Sequence, residues 1–340
     1  SLTMAKQIFA IENLREYRKA GSTDLIRMLP APGAQPLFIE KRRLETFFYA
    51  IVNQEFVHLS GPTASGKTSL IEALYFQTQN FEALCSALNV ANRPLLLLPI
   101  PMIQFETPGE LLQRRALADG NTFDEPSSLV EALLKADTHA TDAYPLIWLR
   151  ELGRVHNASV QGGLLDFLTR TEILLPDGKR IDGSQFAVVA DSNYQVETES
   201  THIMVTLDEA LKRRFTINLT LDYPTAHQEV MILTRLVKEK RIPRVDDDLI
   251  QNVVKLGMAV REERAEGRLQ SVVPPTIYGY LAFLRMANAL PHLSIQQVAQ
   301  ATLLGNVAPS EEKEVISVFN RVFGLNADER QGETLSAGLF

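Results

Sequence analysis

Short apolar runs alternate with helix-like stretches through roughly the first two-thirds of the chain, and then the apolar runs stop. Five runs stand out, at 56–60, 95–99, 146–149, 186–190 and 216–219. Each is too short for a buried helix. Strands buried on both faces of a parallel sheet read this way, with helices covering the sheet between them. Beyond Pro224 the period changes. Ala226, Val230, Leu233 and Val237 line one helical face, and Val315, Val318, Phe319 and Val322 line another in a segment that stops at Gly324. Ser294 with Gln297 forms a capping box before a further helix ending near Gly305. The pattern predicts an α/β domain over 37–222 and a smaller, all-helical domain over 223–325. Ahead of them, a helix-like patch over 8–19 and the connector Pro30-Ala31-Pro32-Gly33 read as an N-terminal extension over 1–36. The last residues, 326–340, hold no sustained period and read as a tail.

One break carries chemistry. Gly61-Pro62-Thr63-Ala64-Ser65-Gly66-Lys67-Thr68 fits G-x-x-x-x-G-K-[ST], follows the apolar run at 56–60, and precedes a helical run that opens at Ser69. The spacing has a physical reason. Glycines permit a tight path that turns backbone N–H groups inward around phosphates, and the following helix adds its positive N-terminal end. Lys67 is placed to neutralise the outer phosphates, and the Thr68 hydroxyl to meet the magnesium ion that bridges them. The strand–loop–helix context makes this the most specific signal in the chain.

Further segments extend the picture. Leu146-Ile147-Trp148-Leu149 ends in Arg150-Glu151, an apolar strand delivering charge towards the loop. The stretch 173–181 reads as a hairpin turning at Asp177-Gly178. The run at 186–190 leads into Asp191-Ser192-Asn193, and a short amphipathic stretch from Leu207 reaches Arg213, Arg214 and Phe215. With the phosphate loop, these segments resemble the AAA+ ATPases, specifically the MoxR group and its relatives in the dynein-related branch, across most of 37–324. The segments 106–115 and 129–133 resemble the family's stretches ahead of its acidic strand.

The resemblance implies an α/β P-loop AAA+ core, with a parallel sheet between helices, followed by a helical lid. It implies ATP and Mg2+ as cofactors, held by Gly61, Pro62, Thr63, Ala64, Ser65, Gly66, Lys67, Thr68 and Ser69, with Thr68 on the metal. In that family the acidic Walker B strand ends Asp-Glu: the Asp holds magnesium through water, and the Glu activates the attacking water. Here Arg150 stands where the Asp belongs, and Glu151 keeps the place of the Glu. An arginine offers no oxygen to a metal's water shell and repels the ion. Asn193 falls at the family's first sensor position, and Arg213 or Arg214 at its arginine finger, which acts on the neighbouring subunit's nucleotide. Pro274-Pro275-Thr276 occupies the place of a lid sensor arginine. Thr276 reads instead as the cap of a helix carrying Leu281, Leu284 and Met286, with Arg285 on its solvated face.

Composition narrows the function classes. A net charge of −7 disfavours a broad basic face for nucleic acid. One cysteine, Cys85, forms no internal disulfide, and six scattered histidines offer no zinc spacing and no H-E-x-x-H. No G-x-S-x-G elbow appears. Asp246-Asp247-Asp248 reads as a helix start favoured by the dipole, not as a metal site. The longest apolar run, 95–103, is too short to cross a bilayer and contains two prolines, so a cytoplasmic protein without membrane insertion is expected. Three functions stay open. The first is a MoxR-type ATPase acting as a homo-oligomeric, hexameric ring that remodels a protein partner, by the resemblance one bearing a von Willebrand A domain. The second is a ring subunit that binds nucleotide, hydrolyses little and acts structurally. The third is a GTP-dependent motor subunit of a restriction-type system.

Overall fold

The computed structural model describes residues 7–155, 158–193 and 207–324. They form two compact units, the first ending at Asp222 and the second opening at Tyr223. The expected tail over 326–340 lies outside the described residues.

The first unit begins with β1 (Ile8–Ala10), α1 (Leu14–Lys19), β2 (Leu25–Met28) and β3 (Leu37–Glu40), a small sheet in which β1 runs parallel and β3 antiparallel to β2. The helical patch expected over 8–19 is thus a strand followed by a short helix. Its first apolar residues find a strand partner in Leu25, Ile26 and Arg27, and that tertiary pairing outweighs local helical periodicity. The segment is built into the unit. Ile11, Tyr17, Ile26 and Met28 lie in the same core as the main sheet, and the Tyr17 hydroxyl donates to Glu45 at 2.8 Å.

Next come α2 (Lys41–Val52), β4 (Phe56–Gly61), α3 (Lys67–Tyr75), α4 (Thr78–Ala87) and β5 (Leu95–Pro101). A hairpin follows that the apolar pattern does not announce, β6 (Gln113–Ala118) with β7 (Asn121–Pro126). Its strands carry mostly polar, exposed residues, so neither shows the alternation of a half-buried strand. The signal lay in the turn: Asp119 and Gly120 both take positive φ, 50° and 78°, as a two-residue hairpin turn requires. The chain continues through α5 (Ser128–Thr138), β8 (Tyr144–Arg150), α6 (Ala158–Gly163), the hairpin β9 (Glu172–Leu174) with β10 (Arg180–Asp182), β11 (Ala187–Asn193), α7 (Glu209–Arg214) and β12 (Ile217–Thr220). The second hairpin turns at Asp177-Gly178 as expected, with Gly178 at φ 86°.

All five apolar runs become strands of one parallel sheet, in the order β12-β4-β11-β8-β5. Alternation sorts each strand between two cores. Val57, Leu59, Trp148, Ala187 and Val189 face Phe47 and Phe48 of α2, Leu70, Ile71 and Leu74 of α3, and Phe81 of α4. Phe56, Ile147, Leu149, Val188 and Ala190 face Leu129 and Leu133 of α5 and Val160 of α6. Each fully buried large side chain contributes about 1.5–3 kcal/mol, so a strand slipped by one residue would lose most of that gain on both faces. The register is therefore firm, and it sets which residues meet at the sheet's C-terminal edge.

The second unit is helical among its described residues: α8 (Ala226–Glu239), α9 (Asp247–Ala265), α10 (Ile277–Ala289), α11 (Ile295–Thr302) and α12 (Glu312–Phe323). Capping follows the sequence. Ser294 and Gln297 form their capping box, and Asp246 accepts from the Leu249 N–H at 2.7 Å, the capping role expected of that acidic run. Thr276 stands at the N-cap of α10 without a side-chain cap bond, and Arg285 is exposed. Inside, the fully buried Glu229 accepts from Arg261 at 2.6 Å, and Arg261 also donates to the Pro275 carbonyl and lies over the ring of Tyr223. Among the described residues, no helix is long and apolar enough to cross a membrane.

Candidate functional site

The phosphate-loop residues form a cradle at the C-terminal end of β4. Gly61 ends the strand at φ 154°, and a Cβ there would lie 2.0 Å from the Leu221 carbonyl oxygen, so only glycine lets these two backbones pass. Pro62, Thr63, Ala64 and Ser65 carry the turn, with Ala64 at φ 63°. Gly66, at φ 96°, is the N-cap of α3. Lys67 and Thr68 open the helix, and their first-turn N–H groups have no acceptor within it. Such groups, with the helix dipole, favour an anion. The Lys67 ammonium is buried and turns back onto the loop, donating to the Gly61 carbonyl at 2.8 Å, the Pro62 carbonyl at 2.7 Å and the Ser65 hydroxyl at 3.4 Å. Burial lowers its pKa, while the carboxylate of Asp191 acts to raise it. Thr68 is exposed and Ser69 half-buried on the same turn. A ring of N–H donors around a buried ammonium fits a polyphosphate.

Strand β8 ends at Arg150. Arg150 is exposed, with its guanidinium 4.7 Å from the centre of the Trp148 ring. Glu151 follows in the left-handed region, φ 53°, uncommon for a residue with a side chain. Its carboxylate is about half exposed and meets Arg154 at 3.3 Å, and its N–H donates to Asp191 at 3.1 Å. Asp191 is 6% exposed and also accepts from the Trp148 indole at 2.6 Å. Burial raises the Asp191 pKa, while these two donors and Lys67 lower it. Asn193 ends β11 in register with Gly61, beside the cradle's entrance. On the other face of β4, His58 lies 2.7 Å from the Ser192 hydroxyl, and its pKa is lowered by burial and then by Lys212.

Phosphate loop, Glu151 and Asn193 thus lie along one edge of the sheet. Arg213 and Arg214 do not join them. Both sit exposed in the last turn of α7, Arg214 donating to the Leu168 carbonyl at 3.4 Å and Arg213 without a partner among the described residues. The sequence reading assigned no role to Asp191. The signal that marks it is phase: Ala187, Val189 and Asp191 alternate onto one face, so a carboxylate stands at a core position of a central strand.

Magnesium asks for few protein oxygens, because it keeps several waters and shares the phosphates of its nucleotide. An exposed Thr68 hydroxyl on the first helical turn meets that demand. Among the described residues, no group of three or more His, Cys, Asp or Glu is arranged to hold a metal by itself.

No protein-family model matches the chain, and no curated protein matches it. Among solved structures it is similar to two variants of RuvB from Thermotoga maritima. One has a TM-score of 0.43 at 15% identity, covering 84% of this chain and 70% of the RuvB chain. The other has a TM-score of 0.42 at 15% identity, covering 84% and 69%. Neither likeness speaks to chemistry.

Proposed function

We propose that the chain is an ATP-binding AAA+ protein of the MoxR-like kind, a hydrolase whose turnover drives the remodelling of a protein partner. The observation that carries this is the Lys67 ammonium, buried inside a glycine-walled loop and bonded there to three of that loop's own oxygens. An incoming phosphate would replace these neutral acceptors with charged oxygens, turning each bond into a contact between opposite charges. The loop N–H groups would orient the chain of phosphates, and the Thr68 hydroxyl would meet the bridging magnesium. When bound, that ion supplies neutralisation of charge on the outer phosphates.

On this reading Glu151, just past the end of β8, accepts a proton from the attacking water, and Asn193, the last residue of the neighbouring β11, orients that water. Arg213 or Arg214, exposed and away from their own cradle, would serve the nucleotide of an adjacent copy in a six-membered ring. The partner class is the protein with a von Willebrand A domain that the MoxR resemblance implies.

A second reading, a nucleotide-binding ring subunit with little turnover, draws on one observation. The Glu151 carboxylate is engaged by Arg154, and Arg150 adds a second cation at the same strand end. Steady-state ATP hydrolysis with magnesium, measured across protein concentration, separates the two. Turnover per chain that rises with concentration supports the ring ATPase. Tight ATP binding with no turnover supports the structural subunit, and absence of ATP binding sinks both.

A further inference from the structure

Magnesium–phosphate chemistry uses a carboxylate near the cradle, and position 150, where the acidic strand would deliver one, holds an arginine lying on an indole ring. The neighbouring strand supplies what is missing. Ala190 pairs with Leu149, so Asp191 stands one residue further along β11, level with Arg150. On its other side Asp191 pairs with Leu59, two residues before the loop opens at Gly61. Alternation along β11 puts Asp191 with Ala187 and Val189 on the face covered by α3, the helix that begins with Lys67 and Thr68.

A carboxylate in that position is costly to bury unless partners hold its charge. Its surroundings are arranged to hold one oxygen and leave the other. Trp148 and the Glu151 N–H both donate to Oδ1, while Oδ2 accepts no hydrogen bond among the described residues. The Glu151 N–H reaches it with a backbone in the left-handed region, so the end of the acidic strand is bent to serve the next strand's carboxylate. Lys67 and Asp191 attract each other.

We propose that Asp191 is the carboxylate that organises the divalent cation of a bound metal–nucleotide complex, working with the Thr68 hydroxyl in place of the acid absent at position 150. This rests on the loop from Gly61 to Thr68 binding nucleotide. The role belongs to Oδ2, towards the water shell of the ion, with Oδ1 fixing the carboxylate plane.

The test uses the full chain and a fluorescent ATP analogue, with affinity measured in EDTA and in magnesium. Asp191→Asn keeps an oxygen for Trp148 and Glu151 and nearly the same volume. Wild type should gain affinity on adding magnesium. With each protein referred to its own affinity in EDTA, the variant should lose about 10–100-fold of that gain, the usual size of an outer-shell effect on a metal. Adding Arg150→Asp to the variant should restore it. A folded Asp191→Asn that keeps the whole magnesium gain overturns the assignment while leaving the nucleotide loop intact. Wild type that binds no nucleotide under either condition overturns the loop reading itself.

Discussion

The indole Nε1 of Trp148 donates to the carboxylate of Asp191 at 2.6 Å, which places the chain's single tryptophan against a buried charge beside the phosphate loop. The same ring carries the Arg150 guanidinium. Trp148 is therefore a built-in reporter. Saturating ATP with magnesium should shift its emission, and Lys67→Ala should abolish both the shift and nucleotide binding. An unchanged affinity in the Lys67 variant would remove the loop from the site.

Gly61 should tolerate no side chain. Gly61→Ala drives a Cβ to 2.0 Å from the Leu221 oxygen and imposes a φ that alanine resists, so nucleotide binding should fail. Gly162→Ala is the control: nothing lies within 4 Å of its added carbon, and in a helix the change should be neutral or add about 0.5–1 kcal/mol. Urea denaturation and calorimetric ATP titration of both variants check the contrast.

Glu151→Gln should spare nucleotide binding and remove hydrolysis, because it keeps the backbone N–H bonded to Asp191 and deletes only the base. Arg154→Met should leave hydrolysis present and release Glu151 from its exposed partner. A Gln variant that hydrolyses ATP at the wild-type rate would take Glu151 out of the reaction.

Replacing Arg213 and Arg214 together should lower turnover by about 10³-fold or more without weakening ATP binding, as expected of groups that reach a neighbour's phosphates. Analytical ultracentrifugation alongside the kinetics decides the point. Full activity from a proven monomer contradicts the role.

His58 should make the first unit acid-sensitive. Its folded pKa lies below the ordinary 6.5, so the unfolded chain takes up this proton first. The stabilisation is complete above 6.5 and is lost as pH falls through the lower folded value. In urea denaturation series at stepped pH, His58→Gln should flatten that decline, and an unchanged slope would assign the acid sensitivity to other groups.

Much of the fold was legible in the sequence because its determinants are local. The five apolar runs mark strands wherever burial on both faces removes polar residues, and each becomes a strand of the sheet. Ser294 and Asp246 announce helix starts because a cap is satisfied within one turn. The hairpin of β6 and β7 escaped the apolar pattern because its strands are solvated, leaving only Asp119-Gly120 to mark it. The strand at Ile8–Ala10 escaped because its partner lies further along the chain, in β2.

The sequence by itself determined the strand–loop–helix unit at Gly61–Thr68, since glycine placement, lysine spacing and apolar runs act over a few residues. It also put an arginine at position 150, where the AAA+ resemblance implies an acid. Only the tertiary structure brings a buried carboxylate, Asp191, beside that position. Trp148 and Asp191 are 43 residues apart, and nothing local couples them. The parallel register of β8, β11 and β4 sets Trp148 beside Val189, two residues before Asp191, and the two-residue alternation turns Trp148 and Asp191 alike towards the helix that follows the phosphate loop. Contacts across a sheet are set by the burial of all its strands together.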